Sequence, residues 1–145
     1  MGGSDTEHPA QAVAELELLL RQLRWCASAD EAETLIADRL VELTGADRAL
    51  LYLVSPLGVQ CAADAGGEIR ALAAATLAGG YARGGFVDGW SALAMPLATV
   101  SAPVGVLVLL HGRGDALGER QLALVRLFAE HAGAALRRLM LPITA

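Results

Sequence analysis

Residues 91–110 read SALAMPLATVSAPVGVLVLL, two apolar strands joined by a Thr-Val-Ser-Ala-Pro turn. Leu93, Met95 and Leu97 alternate with Ala92, Ala94 and Pro96, and Val106, Val108 and Leu110 alternate with Leu107 and Leu109, so neither face of the pair is polar. A strand with one face in water alternates apolar with polar side chains, whereas a strand apolar on both faces must be covered on both sides. The chain must therefore supply one layer above this sheet and another below it.

Helical periodicity provides both layers. A first helix is predicted over residues 10–27, started through Pro9, which a first turn tolerates. Its Val13, Leu16, Leu20, Leu23 and Ala27 recur at alternating steps of three and four. Leu19 and Cys26 widen that stripe, and Leu18 and Trp25 form a neighbouring apolar face, so this helix has two packing partners. Ser28-Ala29-Asp30-Glu31 is a capping box that starts a second helix, with Ala32, Leu35, Ile36, Leu40 and Leu43 as its buried stripe and Gly45 as its C-cap.

Residues 49–54 (ALLYLV) and 59–63 read as strands paired through a Ser-Pro-Leu-Gly turn. An Ala-rich third helix is expected over residues 68–78. The glycine-rich residues 79–85 read as a loop, followed by a short strand at Phe86-Val87 and a turn at Asp88-Gly89. The last helix is predicted from about residue 117 to 140. It carries Leu122, Val125, Ala129, Ala132, Leu136 and Leu139 on one stripe, and Leu124, Phe128, His131 and Ala135 on a second. Only one stripe can face the sheet fully, which leaves the other for the first helix or for a second subunit. A homodimer is expected, its seam formed by Leu16, Leu20 and Leu23 with Leu122, Val125, Ala129, Ala132, Leu136 and Leu139. The competing expectation is that the first helix alone covers the last.

These elements give an α/β (α+β) fold: a three-layer α/β/α sandwich around a central antiparallel sheet of five or six strands. The terminal helices cover one face, and the short helix and loops cover the other. At 145 residues the chain makes one domain, expected at 10–141 between a flexible leader 1–9 and a tail 142–145. Although 54% of residues are hydrophobic, the longest apolar run, residues 104–110, is far short of the ~18 needed to span a membrane.

Charge excludes several classes of function. The formal net charge is −5, and all eleven basic residues are Arg, so phosphate-loop, Schiff-base and kinase lysines are absent. An acidic chain without a basic cluster is a poor nucleic-acid surface; Arg137-Arg138 reads as a helix end, where cations suit the dipole. Cys26 and Cys61 lie far apart without CxxC spacing or a secretion signal, which implies a reduced, cytoplasmic chain.

The element order resembles that of a GAF domain. Residues 35–54 (LIADRLVELTGADRALLYLV) resemble the second helix and first strand of that family, Ala94-Met-Pro-Leu97 with residues 104–109 (VGVLVL) resemble its central strand pair, and residues 128–136 (FAEHAGAAL) resemble its last helix. The resemblance covers roughly residues 10–141. It implies a sensory or regulatory module of the bacterial type, dimeric through its terminal helices, with a small ligand received on the other sheet face and an output domain in a longer chain.

Three functional subfamilies are not matched. A chain without Asn or Lys cannot contain the Asn-Lys-Phe-Asp-Glu signature of the cyclic-nucleotide binders. The bilin-attaching members have a Cys usually followed by His, but both cysteines here precede Ala. Free methionine sulfoxide reductases use clustered loop cysteines, and Cys26 and Cys61 are expected on a helix and a strand.

No catalytic constellation is present: His8, His111 and His131 form no HExxH, no Cys-His pair and no triad pattern. No metal site is expected, a haem or metal ligand role for His111 or His131 being weighed against a structural one, and the cofactor stays unassigned. Residues 112–115 (GRGD) read as a turn. For a ligand pocket the candidates are Tyr81, Phe86 and Trp90, with Arg70, Arg83 and Asp88 as its polar groups. The competing account has these aromatics plugging an Ala-lined gap. The alternatives to a ligand-binding regulator are a roadblock-like scaffold or dimerisation module without a ligand and, further off, an autoinducer-binding domain.

Overall fold

The computed structural model describes residues 3–55, 58–61, 66–98, 103–112 and 118–140. Its elements follow in the order α1 (Gly3–Arg24), α2 (Ala29–Thr44), β1 (Arg48–Ser55), β2 (Gly58–Gln60), α3 (Gly67–Gly79), β3 (Arg83–Val87), β4 (Trp90–Ala98), β5 (Pro103–His111) and α4 (Glu119–Met140). The expected tail, residues 113–115 of the GRGD turn and the loop between β4 and β5 lie outside the described residues.

All five strands form one antiparallel sheet in the order β2-β1-β5-β4-β3. The apolar pair of the sequence is β4 and β5, which lie beside each other near the centre. Its alternation divides the core as the pattern requires. Leu51, Met95, Leu97, Leu107 and Leu109 face α1, α2 and α4, while Leu50, Tyr52, Val106, Val108 and Leu110 face α3. A fully buried leucine contributes about 2 kcal/mol of transfer free energy, so each face is anchored several times over.

Local signals fix the element ends. Ser28 Oγ accepts a 3.1 Å hydrogen bond from the Glu31 N–H, and Gly45, at φ 77°, donates its N–H to the Val41 carbonyl. This left-handed cap favours glycine, as expected. Asp88 and Gly89 both take positive φ, 53° and 83°, the conformation that a two-residue hairpin turn needs to match strand twist. Gly105 is required for another reason: a Cβ there would run into the Tyr52 carbonyl oxygen across the β1/β5 ladder.

Several boundaries differ from those the sequence predicts. Helix α1 begins at Gly3 and ends at Arg24, not over residues 10–27. Trp25 and Cys26 each donate to a carbonyl three residues back, Gln22 and Leu23, a tight turn that closes the helix early. Strand β3 starts at Arg83, within the segment expected to be a loop. Gly84 and Gly85 are accommodated because β3 is an edge strand held by its backbone pairing with β4 and has little side-chain packing to lose.

Candidate functional site

The six ligand candidates do not surround one cavity. Arg83 and Val87 alternate onto the α3 face, so Phe86 between them lies on the opposite face, paired with Ser91 and 77% exposed. Tyr81 and Arg83 stand at the C-terminal end of α3, where Arg83 Nη2 donates to the Tyr81 hydroxyl at 3.2 Å and the guanidinium sits 5.0 Å from the ring centroid. Tyr81 opens toward α4: with Met95, Pro96, Arg126, Ala129 and Glu130 it lines a shallow cavity of about 370 Å³ beside that helix. Phe86 and Tyr81 therefore do not plug an Ala-lined gap under α3 either.

The other end of α3 gathers the remaining three. Asp88 approaches Gly66 at the start of that helix, Arg70 lies in its first turn, and Trp90 packs, half-buried, against the α3-side core. Gly112 closes over the Trp90 ring, and its N–H donates to Asp47 Oδ2 at 2.6 Å. Between the two ends, Ile69 and Ala73 of α3 are fully buried against Val106, Val108 and Ala94. The middle of the short Ala-rich helix thus packs its inner face toward the sheet.

The expected dimer seam is also redistributed. Leu16, Leu23, Val125, Ala132 and Leu136 have no exposed surface, and Ala129 is 6% exposed, all within one subunit. These residues join α1 and α4 to each other and to the sheet, so they cannot form a contact between subunits. Leu20, Leu122 and Leu139 are only half-buried and pack at the border of that core.

The outward faces of the same helices form a groove of about 630 Å³. One wall is α1, with Val13, Glu17, Leu20, Arg21 and Arg24 above Leu16; the other is α4, with Leu127, His131, Ala134, Ala135 and Arg138. Arg138 Nη2 donates to the carbonyls of Arg24 at 2.9 Å and Leu23 at 3.4 Å. The C-terminal ends of α1 and α4 therefore lie together, and the two helices run in the same direction. Positions 127, 131, 134 and 138 are one turn apart in succession, a stripe visible in the sequence but masked by the more apolar stripes beside it.

Neither Cys26 nor Cys61 is in a disulfide. Burial pushes the Cys26 thiol above its ordinary pKa of 9.0, the Glu31 carboxylate adds to this, and the Arg138 guanidinium opposes it. Cys61, half-buried at the end of β2, points its thiol at Glu33 Oε2, 3.6 Å away. His111 ends β5, and His131 is exposed in the groove. Among the described residues, no three His, Cys, Asp or Glu side chains come together as a metal site, and no helix is long and apolar enough to cross a membrane.

With this geometry established, comparisons with known proteins place the chain. A family model described as GAF domain matches residues 34–138, more than half of the sequence. Among solved structures, the GAF domain of the Acinetobacter phosphoenolpyruvate-protein phosphotransferase is similar at TM-score 0.72, with 10% identity over 91% of this chain and 97% of that one. The GAF domain of the Escherichia coli potassium sensor histidine kinase KdpD is similar at TM-score 0.68, with 18% identity over 88% and 94% of the two chains. The GAF domain of a putative sensor histidine kinase from Pseudomonas syringae pv. tomato gives TM-score 0.68 and 18% identity over 95% and 93%. At such identities the likeness concerns the fold alone. A comparison with curated protein sequences finds no match.

Proposed function

Since the chain belongs to the GAF domain family, we propose that it is a non-catalytic regulatory module that dimerises through α1 and α4 and serves an output domain in a signal-transduction or transcriptional regulator. The observation that carries this reading is the asymmetry between its two outer layers. Helix α3 buries Ile69 and Ala73 toward the sheet, whereas α1 and α4 leave an open groove between them, with Val13, 40% exposed, on its wall. Apolar groups gathered along an open groove between two helices suit a contact with another chain.

A small ligand, on this reading, is received at the N-terminal end of α3. There Trp90 offers an aromatic wall, and Arg70 and Asp88 offer charges of both signs. Tyr81, Arg83 and Phe86 leave the candidate set, because the fold sends them to the other end of α3 or to the other face. A second reading, a dimerisation module without a ligand, is favoured by the direct packing of Ile69 and Ala73 on the sheet.

Native mass spectrometry of the purified protein, compared with its denatured mass, separates the two. Non-covalent mass that is lost in the Trp90→Ala variant, with the fold retained, supports the ligand-binding reading. Bare protein that remains unliganded against a metabolite panel supports the module without a ligand.

A further inference from the structure

Phe86 is 77% exposed on β3, the strand that ends the sheet on one side. Edge strands are normally protected by shortness, by Pro or Lys, or by a bulge, because their free N–H and C=O groups accept another strand. The opposite edge, β2, has three residues. Strand β3 has five, with no Pro and no register shift against β4, and its one charged residue, Arg83, stands at its start.

The hairpin decides which backbone groups of β3 are free. In a two-residue turn the flanking residues form a hydrogen-bonded pair, here Val87 with Trp90 around Asp88 and Gly89. Hydrogen-bonded and non-hydrogen-bonded pairs then alternate, so Gly85 and Arg83 also bond to β4, whereas Gly84 and Phe86 turn their N–H and C=O groups outward. Gly84 and Phe86 share the sheet face away from α3, where Leu93, opposite Gly84, is half-buried.

We infer that β3 pairs antiparallel with β3 of a second copy of this chain, with the two-fold axis at Gly85. The contact uses none of the residues of the α1/α4 contact and does not depend on it. This register sets all five residues of β3 against all five of the partner strand. Phe86 then forms a hydrogen-bonded pair with Gly84 of the partner subunit and lies over its bare backbone, beside Leu93 of the partner subunit. An aromatic ring across from a strand glycine covers the backbone that glycine leaves exposed. A slip of two residues would set Phe86 against Phe86 or Gly84 against Gly84 and leave part of each strand unpaired. Charge agrees with the antiparallel course, since Arg83 comes to lie opposite Val87 and next to Asp88 of the partner subunit, whereas a parallel course would set Arg83 against Arg83. Five paired residues bury little beside the ~1,600 Å² of a stable interface, so the contact is transient by itself and gains strength where α1 and α4 already hold copies together.

A disulfide captures such a contact. Gly85 and Gly85 of the partner subunit form a non-hydrogen-bonded pair with Cα atoms about 4.5 Å apart, within the span of a disulfide. A Cβ at Gly85 has no described atom within 4 Å and the residue does not take positive φ, so Gly85→Cys keeps the fold. It is made in the chain carrying Cys26→Ala, Cys61→Ala and Leu127→Glu, which lacks the α1/α4 contact. Mild oxidation is expected to link Gly85→Cys roughly tenfold faster than Thr34→Cys, an exposed position on α2, toward the other edge, that reports random collision. Gly84→Pro removes an outward N–H without touching the β4 ladder and lowers the rate to that of Thr34→Cys; Phe86→Ala slows it several-fold. Equal rates for Gly85→Cys and Thr34→Cys, or a rate unchanged by Gly84→Pro, overturn the β3 contact and leave the α1/α4 reading intact. A Leu127→Glu chain that still sediments as a dimer overturns the α1/α4 reading, and the comparison of rates still decides the β3 contact.

Discussion

Arg138, in the last turn of α4, reaches across to the carbonyl of Arg24 at 2.9 Å and so caps the C-terminus of α1 from a neighbouring helix. The last carbonyls of a helix lack intrahelical donors and carry the negative end of its dipole, so a guanidinium there satisfies both. The contact links residues far apart in sequence and sets the parallel course of the two helices that border the groove.

Loss of this cap has two expected effects. Arg138→Gln lowers stability by about 1 kcal/mol in urea unfolding, the usual scale for one charged hydrogen bond at a partly exposed site. It also raises the Cys26 pKa further, because the one influence opposing burial and Glu31 is removed. Alkylation of Cys26 near pH 9, followed by mass spectrometry, slows in this variant.

The same thiol makes stability depend on alkaline pH. Its folded pKa lies above 9.0, so the unfolded chain loses this proton first as pH rises. The contribution is fully present below the unfolded pKa and is lost as pH climbs through the folded one. Denaturant midpoints measured from pH 8 upward fall less steeply for Cys26→Ala than for the parent chain.

Gly105→Ala tests the closest backbone approach in the sheet. The added methyl meets the Tyr52 carbonyl, which is fixed in the β1/β5 ladder, so the strands have to separate. A loss of about 1–3 kcal/mol is expected from overpacking, visible as a lower thermal midpoint. Gly79→Ala meets only the ends of the Arg83 and Tyr81 side chains, which can move aside, and costs less.

Two leucines of α4 distinguish core from contact surface. Leu136 has no exposed surface, so Leu136→Glu buries a charge and unfolds the domain, as circular dichroism will show. Leu127 is half-buried on the groove wall, so Leu127→Glu retains the fold and yields monomers. A folded Leu136→Glu variant would contradict this assignment of the two positions.

Much of the fold was legible because it rests on short-range chemistry. The two-faced apolar pattern of β4 and β5, the Ser28 cap, the Gly45 cap and the Asp88-Gly89 turn all act within a few residues, and each is found where the sequence places it. The sites were less legible, because they depend on which face a strand shows. Phe86 and Arg83 are three residues apart and so fall on opposite faces once β3 extends back to Arg83. Helix α4 has three stripes within reach of a neighbour, and hydrophobicity alone favoured the one that the sheet and α1 consume. Asp47 gave no signal, since its partner Gly112 lies 65 residues away.

Sedimentation velocity of the parent chain beside Leu127→Glu, at low and at physiological salt, tests the central claim that α1 and α4 form the contact between subunits. The account predicts a dimer for the parent chain, weaker at the higher salt, and a folded monomer for the variant. A parent chain that sediments as a monomer at every concentration, or a variant that stays dimeric, would contradict it.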